Sequence, residues 1–495
     1  MQARHARKRF HHWLGTAVLM AGAGIAHAQY QAPPEIGEEN ASIAISATGE
    51  ASLPQQEDSR RMLPSLPGLL ALALENDAGL RRQRFEMQAT RQEIPKAQAG
   101  LKPQLSASYS YLYQNSSNIY TENPENYAQN DLYDERVSGE LTENYWQVQL
   151  TQPLFSLERW RRIDQAEVQV TAARLRLAAA EQDLALQVIE AYLNAYLASH
   201  KLGLLESKRE ALVLKSRQAQ RAFELGVGDR INLLEAQSRL DQAMSDQVQA
   251  ENDLDNALSV LERLTGVLPD LHGYSLHDLQ RVAIEADWGE PDVWLGRTAG
   301  NLQVLLAEQE LRIAEADTSV RRAGYYPEVN LNLSYGDRDS SDQLRASEDT
   351  RTSIEVQVPI YRGGYTSANV RQGELTVSAG RAAISNERRL AQQEVRQYLR
   401  GLNGEVRQLE ALKHSIESSE LFLEAAEKGE RLGLRDLVDV LDARADLYDL
   451  RIQFVETIGQ YLFARLSLEA AVGELETSDL QDAMELLNSI TGMKG

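Results

Sequence analysis

The side chains that most often perform chemistry are either missing from this sequence or lack a useful spacing. The 495 residues include no cysteine, which excludes a disulfide framework, a thiolate nucleophile and a lipid-modified cysteine. Four of the eight histidines lie at or before position 28, and the other four show no metal-ligand spacing: His200, His272, His277 and His414. There is no nucleophile elbow and no phosphate-binding loop. We therefore expect no catalytic residue, no metal and no cofactor.

Charged side chains instead collect at two similar segments. Residues 225–236 (LGVGDRINLLEA) lie over residues 432–443 (LGLRDLVDVLDA) at an offset of 432 − 225 = 207. In both, glycine permits a tight reversal of the chain, and Asp229 or Asp436 can cap the helix that follows. The sequence therefore predicts turns at 225–229 and 432–436. Taken alone, their carboxylates indicate an ordinary exposed helix face.

These segments belong to a repeat that covers most of the chain. Residues 99–103 (AGLKP) match 323–327 (AGYYP) at an offset of 224, and 152–155 (QPLF) match 358–361 (VPIY) at 206. The first copy therefore has an insert of about 224 − 206 = 18 residues, which we expect to be an exposed loop.

The N-terminal region indicates export. Basic residues, an apolar stretch over 13–25 and a small-residue cleavage site make residues 1–28 a predicted signal peptide. A membrane anchor is the alternative. Removing four basic residues changes the formal charge from −22 to −26, which disfavours nucleic acid as a partner. Residues 29–64 have the composition of a flexible lead-in.

Two regions alternate apolar and polar residues with the period of a β-strand. They predict β-hairpins at 104–155 and 328–361, with polar loop tips at 114–142 and 336–353. The alternation lasts about ten residues in the first strand, the length of a strand that spans a bilayer. A soluble hairpin with one solvated face is the alternative for each hairpin alone.

Long proline-free regions follow both hairpins. Apolar residues recur every seven positions in both: Ile163, Val170, Leu177, Leu184, Ala191, Ala198, Leu205 and Leu212, then Val395, Leu402, Leu409, Ile416 and Leu423. This is coiled-coil periodicity. A helix over 156–224 would be about 100 Å long at about 1.5 Å per residue. A shorter helix over 66–101, kinked or broken at Pro95, precedes the first hairpin.

The chain thus divides into a first repeat at 65–270, a connection at 271–298, a second repeat at 299–473 and a C-terminal segment at 474–495. Each repeat has a helix, a hairpin, a long helix, a turn and a returning helix. Four strands cannot close a barrel, which takes about eight. If the strands span a membrane, the protein must oligomerise, because an open sheet edge in lipid leaves backbone groups unpaired.

From about Leu66 to Leu480 the chain resembles the TolC family of Gram-negative outer-membrane channel-tunnels. The match rests on 432–443 with Tyr448 and Gly473, on the duplication and on the two strand exits. The resemblance implies a mainly α fold with a small β part and long coiled-coil hairpins. It also implies a homotrimer in the outer membrane, whose three chains share a 12-stranded β-barrel and form a helical tunnel across the periplasm.

The resemblance also implies functional residues. The gate and selectivity residues are Asp439, Asp442, Arg435, Asp436, Glu235 and Asn232. Asp439 and Asp442 would line the periplasmic entrance, and Arg435 would make the polar links that close it. The turns that an adaptor would grip contain Leu225, Gly226, Leu432 and Gly433. The chain departs from well-known members at Glu430, usually an aromatic residue, and at Asn232, where an acidic partner for the arginine can occur.

The function that these features favour is a passive duct, and no enzyme activity is expected. Within that class, type I secretion would conduct unfolded protein from an inner-membrane ABC transporter and a periplasmic adaptor. Small-molecule efflux of drugs or metals is the alternative, although the absence of a lipid-acceptor cysteine argues against its lipoprotein branch. A periplasmic coiled-coil adaptor or structural protein is a remote alternative, because it would not explain paired spanning strands.

Overall fold

The computed structural model describes residues 65–120, 136–271, 284, 288–342 and 345–491. All of them belong to one compact unit, Ile45–Gly495. The predicted signal peptide and lead-in, residues 1–64, lie outside the described residues. In the described part of the chain, no helix is both long and apolar enough to cross a membrane.

The first copy begins with three helices where the sequence indicated one helix, kinked or broken at Pro95. They are α1 (Leu66–Asn76), α2 (Ala78–Arg91) and α3 (Glu93–Ala99). The first break is at Asp77, whose carboxylate accepts a hydrogen bond from the backbone N–H of Leu80 at 2.7 Å. The second break precedes Pro95, which lies in the first turn of α3. A proline costs no intrahelical hydrogen bond there, so it follows the break instead of causing a kink within a helix.

A hairpin, a long helix and a returning helix complete the first copy. They are β1 (Gln104–Tyr120), β2 (Arg136–Ser156), α4 (Leu157–Glu224) and α5 (Arg230–Thr265). α4 follows β2 without a loop, and the Ser156 hydroxyl caps it by accepting a hydrogen bond from the backbone N–H of Arg159 at 3.4 Å. The 68 residues of α4 correspond to about 100 Å of helix.

The second copy repeats this order. Its elements are α6 (Pro291–Arg297), a 3₁₀ helix (Thr298–Gly300), α7 (Leu302–Ala323), β3 (Glu328–Ser340), β4 (Ser347–Gln357), α8 (Tyr365–Arg431), α9 (Leu437–Val472) and α10 (Thr477–Thr491). α10 occupies most of the C-terminal segment, contacts α1 and buries Leu480, Ala483 and Leu487. The protein is therefore mainly α with a small β part and an internal duplication, which confirms the predicted fold class.

The two hairpins form one antiparallel sheet with the strand order β1-β2-β3-β4. β2 and β3 join the two copies, and β1 and β4 are the edge strands of this chain. Apolar residues of neighbouring strands fall on the same face, with Leu105 opposite Leu150 and Leu150 opposite Leu333. This face is uncovered, since the exposed fraction is 70% for Leu105 and 65% for Ile354.

The strands are longer than the sequence suggested. β1 continues to Tyr120 and β2 begins at Arg136, inside the predicted tip, and β3 and β4 leave only residues 341–346 between them. The insert of the first copy is partly strand, because β1 and β2 have 17 and 21 residues against 13 and 11 in β3 and β4. The prediction of loops from polarity was wrong here, since a strand with a solvated face tolerates polar residues as well as a loop does. Residues 121–135 lie outside the described residues.

The main core forms where the long helices of both copies pack together. α4 contacts α5, α7 and α9, and α8 contacts α9. Most of the predicted heptad positions are buried: Val170, Leu184, Ala191, Leu205 and Leu212 in α4, and Val395, Leu402, Leu409 and Ile416 in α8. Ile163, Leu177, Ala198 and Leu423 are half-buried. The seven-residue period therefore marks the side of each helix that packs against its neighbours.

His200 is one of the buried residues of this core. Its side chain is 1% exposed, and the centre of its ring lies 4.3 Å from that of Tyr196. Burial lowers the pKa of His200 to about 4. The imidazole is therefore neutral at ordinary pH and belongs to the packing of α4.

Candidate entrance site

The two predicted turns have the same backbone form. α4 ends at Glu224 and α8 at Arg431, and the returning helices begin at Arg230 and Leu437. Gly226 and Gly433 have φ angles of 74° and 71°, in the left-handed region that favours glycine. We call these two turns, 225–229 and 432–436, together with the adjoining helix ends, the entrance end.

The aspartates that follow the glycines behave differently in the two copies. The Asp229 carboxylate accepts a hydrogen bond from the backbone N–H of Asn232 at 2.7 Å and so caps α5. Asp436 occupies the same position before α9, but among the described residues its side chain makes no capping hydrogen bond. The capping prediction thus applies to the first copy and was wrong for Asp436. The unused carboxylate is exposed at the tip.

Arg435, in the second turn, pairs with the first turn of the helix that follows it, α9, and not across the two copies. Its Nη1 lies 3.5 Å from the Asp439 Oδ2, and its guanidinium lies over the Phe422 ring at 5.5 Å. Both side chains of the ion pair are nearly half exposed, at 46% and 47%. Exposed pairs of this kind contribute little stability. The structure does not bring Arg435 to Asn232 or Glu235, the first-copy gate residues that the resemblance implied.

Asp442 and Glu235 are instead brought together by an arginine that the sequence analysis missed. Arg239 Nε donates to Glu235 Oε1 at 2.8 Å, and its Nη2 donates to Asp442 Oδ1 at 2.8 Å. The two carboxylates are equivalent in the repeat, because 235 + 207 = 442. The repeat could have indicated this contact. It places Glu235 and Asp442 at equivalent positions, and Arg239, one helical turn after Glu235, can reach both carboxylates.

Glu430 pairs with a second cation that the sequence analysis missed. Lys215 of α4 donates to the Glu430 Oε2 at 2.6 Å, and the two side chains are only 15% and 25% exposed. Glu430 therefore replaces the usual aromatic residue with one half of a charged link between the two copies. Lys208 of α4 and Asp449 of α9 form a further pair at 3.6 Å.

Apolar side chains cover the tips of both turns. Leu225 and Val227 are 78% and 80% exposed, and Leu432 and Leu434 are 73% and 78% exposed. Two leucine-rich turns side by side with so much exposed apolar surface are typical of a protein interaction site.

The packing that joins the two copies near the turns is thin. Leu441 of α9 lies in a small cluster with the buried residues Leu212, Ala219, Ala236 and Ala243, and the half-buried Leu233, Leu240 and Leu437 pack against it. A separate small cluster between α8 and α9 contains Ala426, Val440 and Ala443. These two clusters contain far fewer buried side chains than the main core, so this end has less hydrophobic stabilisation.

The comparison with known proteins identifies the family. The model of the outer membrane efflux protein family matches residues 69–267 and 298–474, which are the two structural copies. The chain belongs to this family. Membership confirms the predicted resemblance, the location in the outer membrane and the function as a duct.

Individual relatives cover nearly the whole chain. Outer membrane protein TolC of Vibrio cholerae serotype O1 is 25% identical over 83% of this chain and 91% of its own length. Proteases secretion protein PrtF of Dickeya chrysanthemi is 27% identical over 83% and 88%. The crystal structure of the Campylobacter jejuni CmeC outer membrane channel has a similar fold, with a TM-score of 0.69 at 17% identity, over 86% of this chain and 90% of that chain.

The chemistry of the entrance end is that of ion pairing and surface charge. Among the described residues there is no group of three or more His, Cys, Asp and Glu side chains that could hold a metal ion. The carboxylates with named partners pair with lysine or arginine. Such a site can attract or repel charged solutes and can open or close with its ion pairs.

Proposed function

We propose that this outer-membrane duct serves type I secretion and conducts unfolded protein. An inner-membrane ABC transporter and a periplasmic adaptor deliver the protein to it. The similarity to PrtF, named a proteases secretion protein, supports this substrate class because the match extends over 83% of this chain and 88% of PrtF. The alternative, an efflux duct for drugs or metals, is supported by the description of the family. A periplasmic adaptor or structural protein is not consistent with membership in a family of ducts.

The duct is a homotrimer in this proposal. One chain supplies four strands with two free edges, and closing a barrel takes about eight strands. Three chains supply 3 × 4 = 12 strands and pair every edge. The apolar face that includes Leu105 and Ile354 then contacts outer-membrane lipid.

The entrance end forms the periplasmic mouth. Three carboxylates of α9 and its turn, those of Asp436, Asp439 and Asp442, line it and favour the entry of cations. Arg435 partly neutralises Asp439, with which it pairs at 3.5 Å. Glu235 and Asn232 contribute the polar surface of the first copy. Nucleic acid is not a partner, because a chain with a formal charge of −22 repels it.

The adaptor docks on the two tips. Leu225 and Leu432 are the leucines of the two predicted docking pairs. They are 78% and 73% exposed, and each precedes the glycine of its turn. Gly226 and Gly433 have no atom within 4 Å of a Cβ built on them, so the backbone of both turns is open to a partner.

Deleting the gene for this protein in its host tests whether the duct serves secretion or efflux. We expect one or a few large proteins to disappear from the culture medium, as measured by quantitative mass spectrometry of the supernatant. Minimal inhibitory concentrations for a panel of antibiotics, detergents and metal ions should stay unchanged. Unchanged supernatant proteins with increased sensitivity to small molecules would show that the duct serves efflux. Complementation with the wild-type gene is the control.

A further inference from the structure

We propose that β4 of each chain pairs with β1 of the next chain in one fixed register, and that residues 358–362 become strand only in this contact. These residues follow β4, which ends at Gln357, and precede α8, which begins at Tyr365. We call residues 358–362 the exit segment. The register deepens the proposed function, since it rests on three chains sharing one barrel.

The two copies differ at the point where the chain leaves the sheet. In the first copy, β2 continues through residues 152–156 (QPLFS) and ends at Ser156. The exit segment (VPIYR) is the counterpart of these residues, because 152 + 206 = 358 and 156 + 206 = 362. It lies outside β4, which ends at Gln357. Equivalent segments therefore have different structures in the two copies.

The neighbouring strands account for this difference. The end of β2 pairs with the start of β3, where Phe155 lies opposite Val329. Within the part of the chain that the structure describes, β4 is the last strand of the sheet and has a strand on one side only. The first strand of another chain can supply the second side, because a free sheet edge carries unpaired backbone groups.

Exposed side chains mark the exit segment as a contact surface. Ile360 is 93% exposed, whereas its counterpart Leu154 is 50% exposed. Tyr361 is 84% exposed, whereas its counterpart Phe155 is half-buried and lies edge-on to Trp160, with the ring centres 5.2 Å apart. Large apolar side chains with this exposure are typical of a surface that a partner covers.

The registers of the two hairpins show that the offsets hold within the sheet. Gln104 lies opposite Thr151 in the first hairpin, and Glu328 lies opposite Gln357 in the second. These are the same pair, because 104 + 224 = 328 and 151 + 206 = 357. The offset of 224 thus applies to the first strand of each hairpin, and the offset of 206 applies to the second strand.

The β2–β3 contact gives the register between chains. It joins the second strand of one hairpin to the first strand of the other, as β4 and the next β1 would. Val148 lies opposite Tyr335 in this contact. Since 148 + 206 = 354 and 335 − 224 = 111, Ile354 lies opposite Tyr111 of the next chain. Both are exposed, at 65% and 60%, and both contacts pair a β-branched residue with tyrosine, which stabilises a sheet.

The exit segment continues this pairing after a bulge. The β2–β3 register shifts between Pro153 and Phe155, so Leu154 is the extra residue. Transferred to the contact between chains, Ile360 is the extra residue and Tyr361 lies opposite Leu105 of the next chain, because 155 + 206 = 361 and 329 − 224 = 105. A bulge is also where a strand tolerates a proline such as Pro359.

Disulfide cross-linking of the purified full-length protein tests the register. The chain contains no cysteine, so an introduced pair reports one contact. We expect Ser108→Cys with Gln357→Cys to convert most chains into covalent trimers on a non-reducing denaturing gel after mild oxidation. The equivalent side chains within the chain, Thr151 and Asn332, are hydrogen-bonded at 3.1 Å. Within one chain, positions 108 and 357 are at least three strand spacings or about 14 Å apart, too far for a disulfide.

Shifted pairs are the matched controls. Ser106→Cys or Ser110→Cys, each with Gln357→Cys, keeps the same face of the sheet but moves one thiol by about 7 Å along the strand. Both should cross-link at least about tenfold more slowly, because the cysteines then lie outside disulfide geometry. Leu105→Cys with Tyr361→Cys tests the exit segment and should cross-link faster than Gln104→Cys with Tyr361→Cys, the pairing without a bulge.

The outcomes separate the register from the trimer. Faster cross-linking of a shifted pair, or none of any pair in a protein of trimeric mass, would overturn the register and leave the duct intact. Cross-linking at Ser108 and Gln357 without any at Tyr361 would overturn the strand in the exit segment. A reduced protein with a monomeric mass would overturn the proposed trimer and the register with it.

Discussion

The double variant Leu225→Ser with Leu432→Ser is expected to lose secretion while its channel remains intact. Leu225 and Leu432 are 78% and 73% exposed, so serine removes apolar surface that a partner would cover without disturbing the core of the chain. Secreted protein in the culture medium measures the loss, and conductance of the purified variant in planar bilayers measures channel integrity. We expect no detectable secretion together with wild-type conductance.

Glu224→Ser is the matched control for the tips. Glu224 is also exposed and ends α4 next to the same turn, but its side chain is polar. This variant should secrete normally if the leucines are the docking residues. Normal secretion by the double leucine variant would show that the adaptor binds elsewhere.

The double variant Asp439→Ala with Asp442→Ala is expected to weaken cation selectivity and block by divalent cations. In a trimer these residues contribute 3 × 2 = 6 carboxylates around one axis, where a negative potential concentrates cations. The reversal potential under a salt gradient measures selectivity. It does not depend on how many channels are open, so the loss of the Arg239–Asp442 pair in this variant does not confuse the result.

Glu86→Ala with Glu93→Ala controls for the change in net charge. Glu86 lies on an exposed surface of α2, the Glu93 side chain at the start of α3 is 43% exposed, and both residues precede the first hairpin. This control should keep the wild-type reversal potential and divalent block. If the aspartate variant also keeps them in a correctly assembled protein, the acidic ring lies elsewhere, and Glu235 is the next candidate.

Much of the fold follows from the sequence because it depends on local patterns and on the repeat. The helix expected over 156–224 is α4, Leu157–Glu224, since a proline-free stretch with a seven-residue apolar period leaves few alternatives. Both turns lie at the repeated glycines, because Gly226 and Gly433 adopt the left-handed conformation. The break at Asp77 was missed, since a single capping carboxylate inside a helical pattern is a weak local signal.

The candidate site was less accessible to sequence analysis, because its pairs join residues far apart in the chain. Lys215 and Glu430 are 215 residues apart, and Arg239 and Asp442 are 203 apart. The packing of α4 and α5 against α9, which in turn packs against α8, brings them together. The family resemblance drew attention to Arg435, whereas the ion pairs that join the copies near the turns are made by Lys208, Lys215 and Arg239.

The central claim is that three chains form one duct across the outer membrane. Native mass spectrometry of the protein extracted from outer membranes, followed by planar-bilayer recording of the same sample, tests it most directly. The account predicts a mass of about three chains, each at most 55.3 kDa, and discrete conductance steps with cation selectivity. A monomeric mass, or a trimer that never produces a conductance step, would contradict it.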